Sequence, residues 1–180
     1  MLMKREQSLL LIVDIQEKLA PAILNSDAVV ANAAKLIQAA KQLAVPMLAS
    51  EQYRKGLGAT IPALRELLSA DVVFEKTHFS CFSQPGFAAQ LAKQQRKQIV
   101  VCGMEAHVCV LQTALELHNA DYEIFVVADA ASSRSQQSYD LGVARMRELG
   151  CEIVSTEMVL FEWLGEAGTA DFKALLPLIK

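Results

Sequence analysis

No basic run, no bilayer-length apolar stretch and no paired-cysteine motif occurs in this sequence. Its 17 lysines and arginines are interspersed among 20 acids, for a formal charge of −3. That pattern lacks the basic stripe and interleaved aromatics of a nucleic-acid surface, so no nucleic-acid partner is expected. The apolar run Leu9–Val13 is far too short to span a bilayer, so no membrane partner is expected either. A secretory leader would need a longer apolar region and a small-residue cleavage site. The run stops at Asp14 and reads as a strand. Cys81, Cys102, Cys109 and Cys151 form no C-x-x-C pair and have no zinc-ligand spacing with the histidines. With no export signal, reduced thiols and a cytoplasmic location are expected. What is present is 53% hydrophobic and 21% charged residues, without repeats, low-complexity tracts or linkers. This describes one globular domain over residues 1–180 with a substantial core.

Strand-like and helix-like segments alternate along the chain. Ser8–Asp14 is almost continuously apolar, as a strand covered on both faces should be. Further strands are predicted at Val45–Ser50, Asp71–Glu75, Lys97–Gly103, Glu123–Asp129 and Cys151–Ser155. Helices are predicted over 27–43, 61–69, 86–94, 106–119, 135–149, 156–164 and 169–178. Pro62 suits a helix start and Gly150 a helix end. Alternation implies parallel strands joined by right-handed crossovers, hence a three-layer α/β/α sandwich. The expected sheet is six-stranded, mainly parallel and Rossmann-like, in the order 3-2-1-4-5-6. Ligands of such sheets bind beyond the carboxyl ends of the strands, so the residues there are the candidates.

Three of them carry chemistry. Asp14 ends the first strand after consecutive apolar residues, where a carboxylate needs a partner or water. Its bland alternative is a cap for the segment from Ile15. Lys76 follows the third strand in FEKTHFSCF, among Phe74, Phe79 and Phe82. A lysine among packed aromatics can lower a thiol's pKa or bind an anion, although most such lysines are simply solvated. Cys109 falls in the first turn of a helix starting near Ala106, after Gly103 lets the chain turn. A helix N-terminus favours a thiolate, and its free N–H groups suit an oxyanion. A buried structural cysteine fits that placement equally well. Together these residues put an acid, a base and a thiol on one edge of one sheet.

The segments LLIVDIQEKL around Asp14, EKTHFSCF around Lys76 and VVCGMEAHVCVLQTALEL around Cys109 resemble the isochorismatase-like, or cysteine hydrolase, superfamily over essentially the whole chain. SEQYRKGLG (50–58), CGMEAHVCV, DAASSRS (129–135) and RMRELG (145–150) are similar to its subgroup of isochorismatase domain-containing proteins. The resemblance implies a triad of Asp14, Lys76 and Cys109. In it Asp14 takes the thiol proton, Lys76 holds the charges in register, and the thiolate attacks a carbonyl carbon and expels ammonia or an amine. Water activated by Asp14 then cleaves the acyl-enzyme. The resemblance further implies a non-proline cis peptide at Met104–Glu105, with the N–H groups of Glu105 and Cys109 as the oxyanion hole. Assembly into a dimer or larger homo-oligomer is also implied.

Departures from the superfamily narrow the chemistry. Its nicotinamidases carry an Asp-x-His metal motif after the second strand, whereas ASEQYRKGLG has no histidine. No metal and no cofactor are therefore expected. Enzymes that cleave isochorismate lack the nucleophilic cysteine, so Cys109 counts against that substrate. An amide, ureide or carbamate-like C–N bond in a small molecule remains. Gln52, Tyr53, Phe79, Cys81 and Phe82 follow the second and third strands and are expected to contact substrate. His107 lies two residues from Cys109, on a different helix face, and is expected to pack or line the site. Ser132, Ser133 and Arg134 are expected to cap the next helix rather than bind an anion. Phe161 and Trp163 are expected in the core or at a subunit interface. Two other functions fit the same residues: a catalytically idle scaffold, and a redox sensor that pairs Cys109 with Cys81.

Overall fold

Every residue of Ser8–Val13 is buried, and this strand, β1, lies at the centre of the sheet in the computed structural model, which describes residues 1–179. The other strands are β2 (Met47–Gln52), β3 (Val73–Lys76), β4 (Gln98–Met104), β5 (Glu123–Ser132) and β6 (Glu152–Val154). All pair in parallel, in the order β3-β2-β1-β4-β5-β6. The α/β/α architecture and strand order read from the sequence are those observed. The switch point lies between β1 and β4.

Helices α1 (Ser26–Gln42), α2 (Arg54–Leu57), α3 (Pro62–Arg65), α4 (Phe87–Lys93), α5 (Leu111–Asn119), α6 (Gln136–Glu148), α7 (Thr156–Leu164) and α8 (Ala170–Ile179) complete the chain. Alternate strand side chains feed opposite faces. Leu10, Ile12, Val100 and Phe125 pack with α1, α7 and α8. Leu9, Leu11, Val101 and Val126 pack with α4, α5 and α6. Trp163 belongs to the first core, and its Nε1 donates to Ser8 Oγ at 3.0 Å. Phe161 is exposed.

Several boundaries differ from the sequence reading, each with consequences for the site. β2 and β3 extend further than predicted, so Gln52 and Lys76 close strands instead of opening loops. β5 runs on to Ser132 past a register shift against β4 between Val101 and Gly103. Ser132 is thus a strand residue, and Ser135 caps α6 by accepting from Ser138 N at 3.2 Å. The helix expected over 61–69 stops at Arg65, because Leu67 and Leu68 turn onto the core ahead of a 3-10 turn at Ala70–Val72. Gly103 has φ 130°, and a Cβ there would lie 2.0 Å from the Val13 carbonyl oxygen. Only glycine lets β4 approach β1 this closely, next to Asp14.

Candidate active site

The carboxyl ends of β1, β2 and β3 build a bed around the Lys76 ammonium. Lys76 Nζ donates to Asp14 Oδ2 at 2.8 Å, Gln52 Oε1 at 2.7 Å, and the carbonyl oxygens of Phe79 at 2.8 Å and His78 at 3.1 Å. The side chains of Lys76 and Asp14 are both fully buried, which two charges tolerate only when paired and hydrogen-bonded. Asp14 Oδ1 accepts from Ser50 Oγ at 2.7 Å. Asp14 itself has left-handed backbone, φ 52°, as does Tyr53 at φ 38° after β2. Non-glycine residues held there are sparse and gather at functional sites. Backbone bonds over-determine both: Asp14 N to Ser50 O at 3.1 Å and Tyr53 N to Lys76 O at 2.8 Å. The Gln16 side chain accepts from Gln52 N at 2.8 Å and donates to Gln52 O at 3.0 Å and Gly58 O at 2.7 Å, tying the connection after β1 to the end of β2 and the connection that follows it.

The five expected substrate contacts therefore divide. Gln52 spends its amide on Lys76 and on Thr77 O. Cys81 is buried, its N–H on Thr113 Oγ1 at 2.9 Å and its sulfur on Ser50 Oγ at 3.5 Å. Phe79 gives its carbonyl to Lys76 while its ring stays exposed, and the Tyr53 ring is exposed too. Phe82 is half-buried against the core on the Cys109 side.

Cys109 comes from the other side of the switch point. The Met104–Glu105 peptide is cis. Ala106–Val110 then form a π-helical turn before α5, where a regular helix is expected from the sequence. Glu105 O accepts from Val108 N at 3.0 Å and Val110 N at 3.2 Å, the latter with π spacing, so Cys109 N is passed over. Cys109 retains 6% exposure, whereas Cys81 and Cys102 have none.

Burial pushes the Cys109 thiol well up, the Asp14 charge and an Asp14 hydrogen bond push it further, and the Lys76 charge opposes them. Burial also raises the Asp14 carboxyl, against the charge and hydrogen bond of Lys76 and the hydrogen bonds of Ser50 and Cys109. This corrects the expectation of a lowered thiol pKa from the helix N-terminus and Lys76. The ammonium is already spent on Asp14, Gln52 and two carbonyls, so it is not free to hold the thiol down.

The His107 Nδ1 bonds Ser133 Oγ at 2.9 Å. Glu105 Oε2 accepts from Arg134 N and Nε, both at 3.0 Å. The segment 132–134 thus braces the turn of Cys109 instead of capping α6. Sequence reasoning passed over this brace, along with Gln16 and Ser50. Among the described residues, no group of three or more His, Cys, Asp and Glu is arranged to hold a metal ion, and no helix is long and apolar enough to cross a membrane.

Residues 8–158 match the isochorismatase domain family. The chain belongs to the isochorismatase family. Isochorismatase domain-containing protein 2 of Xenopus laevis is 38% identical over 173 residues, spanning 96% of this chain and 83% of the relative. A family likeness of the same order links it to the solved structure of MAR1 ribonuclease from Caenorhabditis elegans, with TM-score 0.93 and 33% identity over 99% of this chain and 92% of that one. YcaC of Escherichia coli, described as an octameric hydrolase of unknown specificity, matches with TM-score 0.92 over 98% and 90% of the two chains. At 20% identity that likeness shows the fold. The isochorismatase family supports a hydrolase-type fold for this chain, and on it Asp14, Lys76 and Cys109 converge from three strand ends on either side of the switch point.

Proposed function

We propose that this protein hydrolyses a C–N bond of an amide, ureide or carbamate-like small molecule through a thioester on Cys109. The observation that carries this reading is a fully buried Asp14 carboxylate bonded to the Lys76 ammonium at 2.8 Å, with its charge also acting on the Cys109 thiol. As substrate carbonyl approaches, the thiol proton passes to Asp14 and the sulfur forms its bond to the carbonyl carbon. The raised Asp14 pKa brings this base closer to its acid and eases the transfer. The N–H groups of Glu105 and Cys109 stabilise the oxyanion. Asp14 returns the proton to the leaving nitrogen, the C–N bond breaks, and a thioester remains. Water then adds to the thioester carbonyl carbon, giving a proton to Asp14; the C–S bond breaks, Asp14 returns that proton to the sulfur, and the acid product leaves. Lys76 stays charged throughout and holds Asp14 in place. The exposed residues Tyr53 and Phe79 are the proposed substrate contacts beside the site.

No cofactor takes part in this scheme. The partner is a small molecule rather than nucleic acid or membrane. A homo-oligomer is proposed, as in octameric YcaC, and a cytoplasmic, thiol-reducing setting agrees with four free cysteines.

Ammonia release across a panel of amides, ureides and carbamates tests the reading, with Cys109→Ala as control. At least one panel member should be turned over by the wild type, and Cys109→Ala should lose at least about a thousandfold. Turnover that survives in Cys109→Ala, or none across the panel, would overturn it. A folded RNA belongs in the panel because the C. elegans relative is named a ribonuclease. With 20 acids against 17 bases, no cleavage of it is expected here.

A further inference from the structure

The segment Ser132–Arg134 has no part in the reaction above, yet each of its residues is bonded into the walls of the site. Ser132 Oγ donates to Leu24 O at 2.7 Å, and Leu24 N donates to Ser133 O at 3.0 Å. Leu24 lies in the connection between β1, which ends beside Asp14, and α1. Ser133 Oγ bonds His107 Nδ1 at 2.9 Å, and Arg134 brings N and Nε to Glu105 Oε2 at 3.0 Å each. One short segment therefore ties the connection that follows the acid to the turn of the nucleophile.

Glu105 is the focus of this arrangement. Its carbonyl takes the N–H groups of Val108 and Val110 and so sets the π turn. Its carboxylate is only 10% exposed, and both donors converge on one oxygen. Helix α6 packs backbone to backbone on the same turn: a Cβ at Gly142 would lie 2.9 Å from His107 Cα. A turn held at its first residue and packed against α6 has little freedom to swing Cys109 away from Asp14.

We propose that Glu105 is a positioning residue, whose carboxylate, anchored by Arg134, fixes the turn that presents Cys109 to Asp14. The Glu105 carboxylate acts through Cys109 and does not itself touch substrate, unlike the backbone N–H of the same residue in the proposed oxyanion hole. The competing role for the exposed Arg134 guanidinium is a direct contact with an anionic substrate group, and the two roles differ in what they change. Misplacing a nucleophile lowers turnover of every substrate, whereas losing an anion contact weakens binding of charged ones.

The inference rests on the proposed hydrolase only for its kinetic measurement; a second measurement, alkylation of Cys109 by iodoacetamide, needs no substrate. Arg134→Ala should lower kcat about tenfold to a hundredfold on neutral and anionic amides alike, with KM within about twofold. It should also move the pH midpoint of Cys109 alkylation down toward that of an ordinary thiol, because a loosened turn exposes the sulfur and frees it from Asp14. Glu105→Gln keeps an acceptor for both donors and should lose only about threefold in kcat, less than Glu105→Ala. Where Glu105→Ala does not fold, the Arg134→Ala and Glu105→Gln comparison still decides. A KM rise confined to anionic amides, with unchanged alkylation, would assign Arg134 to substrate and overturn the proposal. Unchanged kcat, KM and alkylation would reduce the pair to a surface bond. If wild type turns over no amide at all, the hydrolase reading fails, and the alkylation profile alone decides the positioning role.

Discussion

The bed around Lys76 and the turn around Cys109 meet at Asp14, yet different physics holds each. In the bed, a buried ammonium and a buried carboxylate depend on each other and on Gln52, Ser50 and two carbonyls. Removing any one charge strands its partner away from water. The turn is seated on apolar neighbours and braced by a pair whose arginine side chain is 65% exposed. Loosening that brace leaves the Glu105 carboxylate, 10% exposed, still bonded by the Arg134 backbone N–H, whereas the side chains of Lys76 and Asp14 have no exposure at all. The bed must be intact for the chain to fold well, whereas in the proposed mechanism the turn must be in register for the chemistry to run. Changes in the first should cost stability, and changes in the second should cost activity.

The largest expected effect that tests this contrast is Lys76→Ala. It leaves the buried Asp14 carboxylate unpaired and should cost about 3–5 kcal/mol in urea denaturation. Combining Lys76→Met with Asp14→Asn should recover part of that loss, because neither charge is then orphaned. A cost below about 1 kcal/mol for Lys76→Ala would break the comparison. Next comes Gly103→Ala, whose Cβ would meet the Val13 carbonyl at 2.0 Å. It should cost about 1–3 kcal/mol or more and disturb both halves at once, since it separates β4 from β1.

A pH titration of stability gives a smaller, graded effect. Burial raises the thiols of Cys81 and Cys151 to about 11 and of Cys102 to about 12, from an ordinary 9.0. Between 9.0 and about 11 the folded chain therefore holds more protons than the unfolded one. Stability from these thiols is full below 9 and is lost as pH rises through about 11. Melting temperature should fall across that window, and Cys102→Ala should flatten the fall. A melting temperature that rises there would contradict the burial of these groups. Smallest of all is Arg134→Ala, which should cost less than about 1 kcal/mol in stability. Its effect belongs to turnover, and a stability loss as large as that of Lys76→Ala would erase the distinction between the two halves.

Legibility in the sequence follows the same division. The strand Leu9–Val13 is a plain apolar run, and with its alternating neighbours it makes the sheet and its order readable. The positions of Asp14, Lys76 and Cys109 follow from strand ends. Ser50 and Gln52 lie two apart on β2 and so share a face, with Gln52 registered against Lys76. That spacing was the available sign of a polar bed, hidden because each residue alone looks ordinary. The π turn was not legible, because AHVCVLQTALEL keeps a regular helical period and only the Glu105 carbonyl bonds reveal the insertion. The brace from 132–134 was hidden by the register shift that carries β5 past its expected end. The pull of Lys76 on the Cys109 thiol was overestimated for an energetic reason. A sequence shows that a lysine is present but not that its hydrogen bonds are already committed.

The central claim is that Asp14 and the surrounding burial keep Cys109 a thiol until substrate arrives. The most direct test is the pH dependence of Cys109 alkylation by iodoacetamide in wild type and in Asp14→Asn, read peptide by peptide with Cys81, Cys102 and Cys151 as internal controls. The account predicts a wild-type midpoint above the ordinary 9.0 and a lower midpoint in Asp14→Asn, where the raising charge is gone. A wild-type midpoint near neutrality, or an Asp14→Asn midpoint that stays put or climbs, would contradict it.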